Sequence, residues 1–298
     1  MRRAALGGIP AVFCPAFIRR SAPRPRIGPS TLRLINPPRI EPTPPTPVSH
    51  RGAHPEDPDQ FGIDEVGRLR KAVRDLSWLR SRGYGENSIR KLVGDRYRLK
   101  RRQRNAVIRS AATDAEVRTR SESRCSIEEL EGETVHVDGF NVLITVEGAL
   151  GGAYLFVGRD GALRDVDPIR GSYRTVEETQ PAVEHIGQLL QGAGATGAVW
   201  HLDEQMSNVG RLVTRLWHAA ETNGWPWMVE VKDDVDAAIM AAGESGVVAT
   251  SDSDILDTVP RWVNLPAAVV RRHGLDANVR NLRPGGERQP AERQSADR

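Results

Sequence analysis

The chain has almost no cysteine and no long apolar run. Only Cys14 and Cys125 occur among its 298 residues, in regions that we do not expect to pack together. This scarcity excludes a disulfide framework and favours a reducing compartment, so we expect a cytoplasmic protein. No apolar stretch reaches the roughly 18 residues that a membrane-spanning helix requires. We therefore expect no association with a membrane.

The first 58 residues contain very little negative charge, and no acid precedes Glu41. They hold 13 of the 20 prolines, which remove backbone donors and favour an extended, unpacked chain. Residues 1–18 are similar to a short signal peptide interrupted by Pro10 and Pro15, and the lack of acids is also typical of a transit peptide. We favour a third interpretation, in which residues 1–58 are a disordered tail or follow a start codon assigned too far upstream.

The formal net charge of +3 hides an uneven distribution. Residues 59–125 contain eighteen lysines and arginines against nine acids, whereas residues 126–275 contain ten against twenty-three. A basic module beside an acidic one indicates polyanion binding joined to a metal site, because lysine and arginine neutralise phosphates while carboxylates hold cations. The alternative is that both regions are ordinary solvated surfaces.

Apolar periodicity predicts a small helical domain over residues 59–125. The first helix begins near Asp64 and ends at Gly83, and two more are predicted at 86–93 and 100–112. Three short helices joined by glycine-bearing turns are similar to helix-turn-helix modules.

Residues 126–275 alternate short apolar strands with segments of helix length. The strands are predicted at 134–137, 197–202, 227–231, 247–250 and 262–265. This alternation is typical of an α/β fold with a parallel sheet and right-handed crossovers. One departure, at 153–166, has an Asp-Gly turn between two apolar runs and predicts an inserted β-hairpin. Residues 276–298 are predicted to form a second disordered tail.

Acidic residues follow three of the predicted strands. Asp138 comes after the first strand, Asp236 after the third, and Asp252 with Asp254 after the fourth. Because the carboxyl ends of neighbouring parallel strands meet at one edge of a sheet, we expect these side chains to share a crevice. Their repulsion requires protons or a divalent cation, and oxygen ligands suit Mg²⁺ or Mn²⁺. The structural alternative for each is a helix cap.

Other polar residues are predicted to surround this crevice. The candidates for substrate binding are Asn141, Lys232, Ser251, Asp203 and Asn208. For Asn208, capping the following helix is an equal alternative to contacting phosphate. His136 and His201 alternate with strand residues and are predicted to be structural.

These motifs resemble the PIN-like nuclease superfamily, particularly its NYN-type branch. The matched positions are an Asp-x-x-Asn at 138–141, a Lys-x-x-Val-Asp at 232–236 that is followed by an apolar helix, and a Thr-x-Asp-x-Asp at 250–254. The resemblance covers 126–275. It implies a PIN-like, Rossmann-like parallel sheet, an acidic pocket for Mg²⁺ or Mn²⁺ and, in many members, cleavage of single-stranded RNA.

The chain departs from the common PIN-like pattern in two ways. It carries the inserted hairpin, and no clear glutamate is found in the early helix, for which Glu177, Glu178 and Glu184 remain open alternatives. Separately, residues 65–111 resemble the helical module of a bacterial and archaeal family described only as domain of unknown function 434.

The leading hypothesis is a metal-dependent ribonuclease. Its metal and catalytic residues are the four aspartates, and an Arg-rich third helix grips the flanking RNA through Arg101, Arg102 and Arg104. A second hypothesis is a non-catalytic nucleic-acid-binding or regulatory protein that uses the basic helical domain. A third, a phosphatase or nucleotide-processing enzyme, is less favoured because no Asp-x-Asp-x-Thr/Val loop follows the first strand.

Overall fold

The computed structural model describes residues 49–166, 171–276 and 278–285. The interpretations of residues 1–48 and of the stretch from 286 onward lie outside these ranges. No helix within them combines the length and the apolar composition that crossing a bilayer demands.

The described chain begins with a helical module. Its helices are α1 (Asp57–Phe61), α2 (Ile63–Arg80), α3 (Glu86–Arg96), α4 (Arg101–Ser110) and α5 (Asp114–Glu122). The three predicted helices correspond to α2, α3 and α4. The unpredicted α5 begins with a capping box, in which Thr113 accepts from the Glu116 N–H and Glu116 accepts from the Thr113 N–H. That four-residue signal was present in the sequence.

The remaining strands and helices alternate as predicted. The strands are β1 (Arg124–Cys125), β2 (Thr134–Asp138), β3 (Leu155–Val157), β4 (Leu163–Arg164), β5 (Gly197–Asp203), β6 (Trp227–Lys232), β7 (Val247–Ala249), β8 (Trp262–Val263) and β9 (Val279–Asn281). The helices are α6 (Gly139–Leu150), α7 (Thr179–Gly192), α8 (Val209–Asn223), α9 (Val235–Ala242), α10 (Ser253–Leu256) and α11 (Leu265–Arg272), and a 3₁₀ turn spans Glu128–Leu130.

Six strands form a parallel sheet in the order β1-β8-β7-β2-β5-β6. Its two faces are covered by different helices, because α6, α7, α8 and α11 contribute to one apolar cluster and α9 and α10 to another. Alternate residues of β7 show this division, since Val247 and Ala249 lie in the first cluster and Val248 in the second. The predicted α/β class is confirmed.

The predicted hairpin insertion is also confirmed. Strands β3 and β4 pair antiparallel around the Asp160-Gly161 turn. The structure adds a third strand to this small sheet, because β9 pairs parallel with β3. This differs from the prediction of a tail from residue 276, since β9 is anchored by backbone pairing and by the fully buried Leu282 beyond it.

The helical module and the hairpin share one apolar cluster. Phe61 of α1 packs edge-on against Phe156 of β3, with ring centroids 4.8 Å apart, and lies 5.8 Å from the ring of Tyr154. Leu282 and the buried face of α2 belong to the same cluster. The predicted boundary near residue 125 is therefore not a boundary between separate hydrophobic cores.

The segment before α1 is anchored to the same region. The Arg51 guanidinium lies 2.6 Å from the fully buried Glu147 carboxylate of α6, and Gly52 forms a β-bridge with Gly152. At the other end of the described chain, Asn278 donates to the Gly152 carbonyl at 2.6 Å. Residues 49–58 are thus attached to the folded domain, whereas the sequence predicted that they belong to a disordered tail.

Candidate active-site cleft

The carboxyl ends of β2, β5, β6 and β7 surround a cleft at the point where the strand order reverses. From β2 the chain continues to β5 and β6 on one side and then returns to β7 on the other. Connections that leave in opposite directions open a crevice at such a switch point, and ligands of open α/β sheets commonly bind there.

The cleft has a volume of about 180 Å³. It is lined by Arg109, Asp138, Phe140, Asn141, Ile144, Asp165, His201, Asp203, Met206, Val235, Asp236 and Asp252. Five of the residues singled out in the sequence are therefore brought together, namely Asp138, Asn141, Asp203, Asp236 and Asp252. They arrive from four different strand ends, as the strand-end argument predicts.

Asp138 occupies the end of β2 and the N-terminus of α6. The Thr250 hydroxyl donates to its Oδ2 at 2.7 Å. Burial is the main reason that the pKa of Asp138 is raised to about 7; the nearby charges of Asp252 and Asp236 also raise it, and the hydrogen bond from Thr250 lowers it. Negative charge at this position is therefore poorly compensated by the protein.

Asp236 and Asp252 line the same cleft and act on Asp138 through their charges. Burial and the charge of Asp252 raise the pKa of Asp236, with smaller contributions from Asp234, Asp254 and Asp203. Asp252 also caps α10, because its Oδ1 accepts from the Asp254 N–H at 2.9 Å. Asp254 is exposed and does not line the cleft, so it acts on the cleft through its charge alone.

Ser251 holds Asn141 in place. Its backbone N–H and its hydroxyl both donate to Asn141 Oδ1, at 2.9 and 2.8 Å. Because an N–H donor fixes that atom as the oxygen, the amide group of Asn141 is the part left to donate into the cleft. Ser251 itself is buried and does not line the cleft. Its position therefore does not agree with the prediction that it contacts substrate.

Other predicted substrate contacts lie away from the cleft. Lys232 is exposed and lies 3.4 Å from Glu230. Asn208, in a left-handed conformation with φ of 64°, donates to the Tyr173 carbonyl at 3.0 Å. Both side chains take part in local structure.

The three arginines of the predicted RNA-gripping helix also lie outside the cleft. Arg102 donates to the buried carboxylate of Asp57 at 2.7 Å, and Arg104 donates to Asp95 at 2.8 Å and to the Leu99 carbonyl at 2.9 Å. Arg101 is exposed at the start of α4. The same helix instead presents Arg109, which the sequence did not single out.

Arg109 and Asp165 are the charged lining residues missed in the sequence. Arg109 donates from Nη2 to Asp165 Oδ1 at 2.8 Å and from Nε to the Asp165 carbonyl at 3.2 Å. Arg109 comes from the helical module and Asp165 follows the hairpin, so no local motif connects them to the strand ends. Only the folded arrangement of the inserted hairpin reveals them.

His201 also lines the cleft, although it was predicted to be structural. It is 2% exposed, and its Nε2 lies 3.1 Å from Nδ1 of His136. Burial lowers the pKa of His201 to about 4, against an opposing effect of Glu230. His201 is therefore neutral at physiological pH and adds no positive charge to the cleft.

The early helix does contain a glutamate, Glu147, but its side chain does not reach the cleft. Its Oε1 accepts from the hydroxyls of Tyr173 and Thr179, both at 2.6 Å. Of the alternatives, Glu178 pairs with His50 at 3.1 Å. Glu147, Glu177, Glu178 and Glu184 are all absent from the cleft lining described above.

The described residues contain no preformed group of three or more His, Cys, Asp or Glu side chains that could hold a metal ion. The carboxylates that line the cleft nevertheless fit a hard cation chemically, because the protein compensates their charge poorly and oxygen ligands suit such an ion. Mg²⁺ in proteins is commonly held by one or two carboxylates, with waters and substrate phosphates completing its shell.

Two family models match the chain. Residues 127–268 match a family described as Domain of unknown function (DUF5616), and residues 68–122 match one described as Protein of unknown function (DUF434). Uncharacterized protein MJ0935 of Methanocaldococcus jannaschii is 28% identical over 188 residues, which span 63% of this chain and 88% of the relative. No solved structure gives a significant match. The resemblance of the helical module to the DUF434 family is thus supported, with a DUF5616-like region following it.

Proposed function

We propose that this protein is a metal-dependent ribonuclease of PIN-like type that hydrolyses phosphodiester bonds of single-stranded RNA in the acidic cleft. The observation that carries the proposal is the convergence of Asp138, Asp203, Asp236 and Asp252 on one cleft at the switch point of a parallel sheet. Carboxylates gathered at such a site favour a divalent cation and, with it, a phosphate ligand.

Asp138, Asp236 and Asp252 are the residues that would hold Mg²⁺ or Mn²⁺. The raised pKa of Asp138, which results from burial and from the two neighbouring charges, supports this assignment because a cation would relieve that repulsion. When bound, the ion supplies Lewis-acid polarisation of the phosphate and a lower pKa for an attacking water.

The other lining residues orient the substrate. The Asn141 amide, fixed by Ser251, is placed to donate to a phosphate oxygen. Phe140, Ile144 and Met206 form an apolar wall on the same cleft, which lowers the local exposure to water. Polar groups in a partly apolar setting interact more strongly with a charged ligand than they would in bulk water.

The test is cleavage of a 5′-labelled single-stranded RNA pool by purified protein with Mn²⁺ or Mg²⁺. We expect cleavage that chelator abolishes and that Asp138→Asn reduces by more than about 100-fold, since loss of a metal-holding group exceeds the usual effect of outer groups. Glu244→Gln is the matched control, because Glu244 is an exposed acid outside the cleft lining.

Two results would contradict the proposal. Cleavage that survives Asp138→Asn would assign the activity to another site or to a contaminant. Salt-sensitive RNA binding without cleavage under either metal would instead support the non-catalytic nucleic-acid-binding hypothesis.

A further inference from the structure

We propose that Arg109 of α4 is the phosphate-binding side chain of the cleft, so that the helical module completes the substrate site. This inference rests on the proposed function and names the group that receives the RNA backbone. It assigns the helical module a role different from the one that Arg101, Arg102 and Arg104 suggested.

Arg109 is the one lysine or arginine among the described residues that line the cleft, where it faces five aspartates. A polyanion entering such a site meets strong repulsion, even with a divalent cation present. A cationic side chain opposite the carboxylates gives the phosphate a second favourable contact. Arg109 supplies that charge from the opposite module of the protein.

The position of Arg109 is fixed by hydrogen bonds to the backbone of the two residues that follow it at the end of α4. The Arg159 N–H donates to the Ser110 carbonyl at 2.8 Å, and the Arg80 guanidinium donates to the Ala111 carbonyl at 2.8 Å. Val107, on the same turn, is buried in the cluster shared with the hairpin. Groups held on rigid elements bind with less loss of conformational freedom.

Asp165 pairs with the Arg109 guanidinium, while the Arg109 side chain as a whole remains about one-fifth exposed and lines the cleft. Nε and Nη2 donate to Asp165, whereas Nη1 donates to no group in the described part of the chain. The planar guanidinium has five donors and binds phosphate oxygens in pairs. The contact with Asp165 therefore orients the side chain and leaves donors for a phosphate.

The experiment compares Arg109→Gln, Arg109→Lys and the control Arg118→Gln. Arg118 is an exposed arginine of the same module that does not line the cleft, so its loss changes net charge equally. Binding of a fluorescein-labelled single-stranded RNA is measured by anisotropy with Ca²⁺ over a range of salt, and cleavage is measured with Mn²⁺.

We expect Arg109→Gln to weaken binding about tenfold or more, as loss of a charged hydrogen bond does, and to reduce the slope of log Kd against log salt by about one. Arg118→Gln should leave both unchanged. A purely structural role in the Asp165 pair would alter the melting temperature without changing the salt slope.

The outcomes separate this inference from the proposed function. Wild-type cleavage with Arg109→Gln binding like Arg118→Gln would overturn the role of Arg109 alone, and wild-type protein that binds no RNA would overturn both. Wild-type binding that Arg109→Gln weakens, without cleavage, would support Arg109 and refute hydrolysis. If Arg109→Gln does not fold, Arg109→Lys decides, because it keeps the charge; wild-type affinity in that variant would overturn the paired guanidinium contact.

Discussion

The folded protein stabilises the ionised form of the Asp138 carboxylate poorly. Burial, together with smaller contributions from the charges of Asp252 and Asp236, raises its pKa to about 7. The unfolded chain ionises the same group near pH 4. The contribution of Asp138 to the free energy of unfolding is therefore fully present below about pH 4 and is lost as the pH rises towards 7.

Asp138→Asn should consequently stabilise the metal-free protein while removing its activity. Asparagine can still accept from Thr250 but carries no charge, so we expect a gain of about 2 kcal/mol at pH 7.5 and a much smaller one at pH 4.5, where wild-type Asp138 is protonated. Urea denaturation in chelator at the two pH values measures this. An equal difference at both pH values would show that charge repulsion is not the cause.

The sequence located the acidic residues that follow the strands of the main sheet but missed Asp165 and misjudged several neighbouring residues. Asp138, Asp236 and Asp252 were identifiable because a strand end fixes where a side chain emerges. Ser251 was wrongly predicted to contact substrate. Its hydrogen bonds to Asn141 depend on the pairing of β7 with β2, which the sequence around Ser251 does not reveal. Arg109 had no local signal at all, since its approach depends on a core formed with a hairpin about fifty residues later.

At the level of elements, the inserted hairpin supports the loop that carries Asp252. Arg164 of β4 donates to the Ser251 carbonyl at 2.8 Å and to the buried carboxylate of Asp160. Arg120 of α5 donates to the same carboxylate at 2.7 Å and to Asp257. Burial opposes ionisation of Asp160, but the two arginines outweigh it and hold its pKa well below the usual range.

Asp160→Asn should destabilise the protein by about 3–5 kcal/mol, because it leaves the buried Arg164 guanidinium without a carboxylate partner and the buried Arg120 guanidinium with Asp257 alone. Lys91→Gln, which breaks an exposed pair with Asp95, should cost less than about 1 kcal/mol. Chemical denaturation of both variants makes the comparison. Equal small losses would show that water, not Asp160, satisfies Arg120 and Arg164.

The Asp-Gly turn was enough to predict the hairpin. The contacts that the hairpin makes with β9 and with the helical module could not be predicted from it. Periodicity identifies an element one segment at a time, so it predicted α2 to α4 and the strands of the main sheet. It gave no sign that β9 would join the hairpin, because three residues are too few to show a period and their pairing partner lies more than a hundred residues away.

At the level of the whole molecule, the helical module is joined to the α/β part by a common core. Phe61, Phe156, Tyr154 and Leu282 come from three separate segments and lie in one cluster. The basic and acidic halves of the sequence therefore differ in surface charge, but they share a continuous hydrophobic core.

Phe156→Ala should accelerate hydrogen exchange in α2 as well as in the hairpin, and lower stability by about 3–5 kcal/mol, the usual effect of removing a buried aromatic ring. Peptide-level exchange followed by mass spectrometry measures both regions. Trp217→Ala, at an exposed position, serves as the control. Faster exchange confined to the hairpin would show that the helical module is stable by itself.

The meeting of Gly52 and Asn278 at Gly152 has a consequence for rearranging the gene. Because these two distant points of the backbone are already neighbours, a linker that starts a few residues after Asn278, beyond Leu282, has only a short way back to Gly52 and keeps β9 in place. The sequence can then be reopened in the exposed turn after α2, at Arg82-Gly83, to give a circular permutant with both halves of the cleft intact.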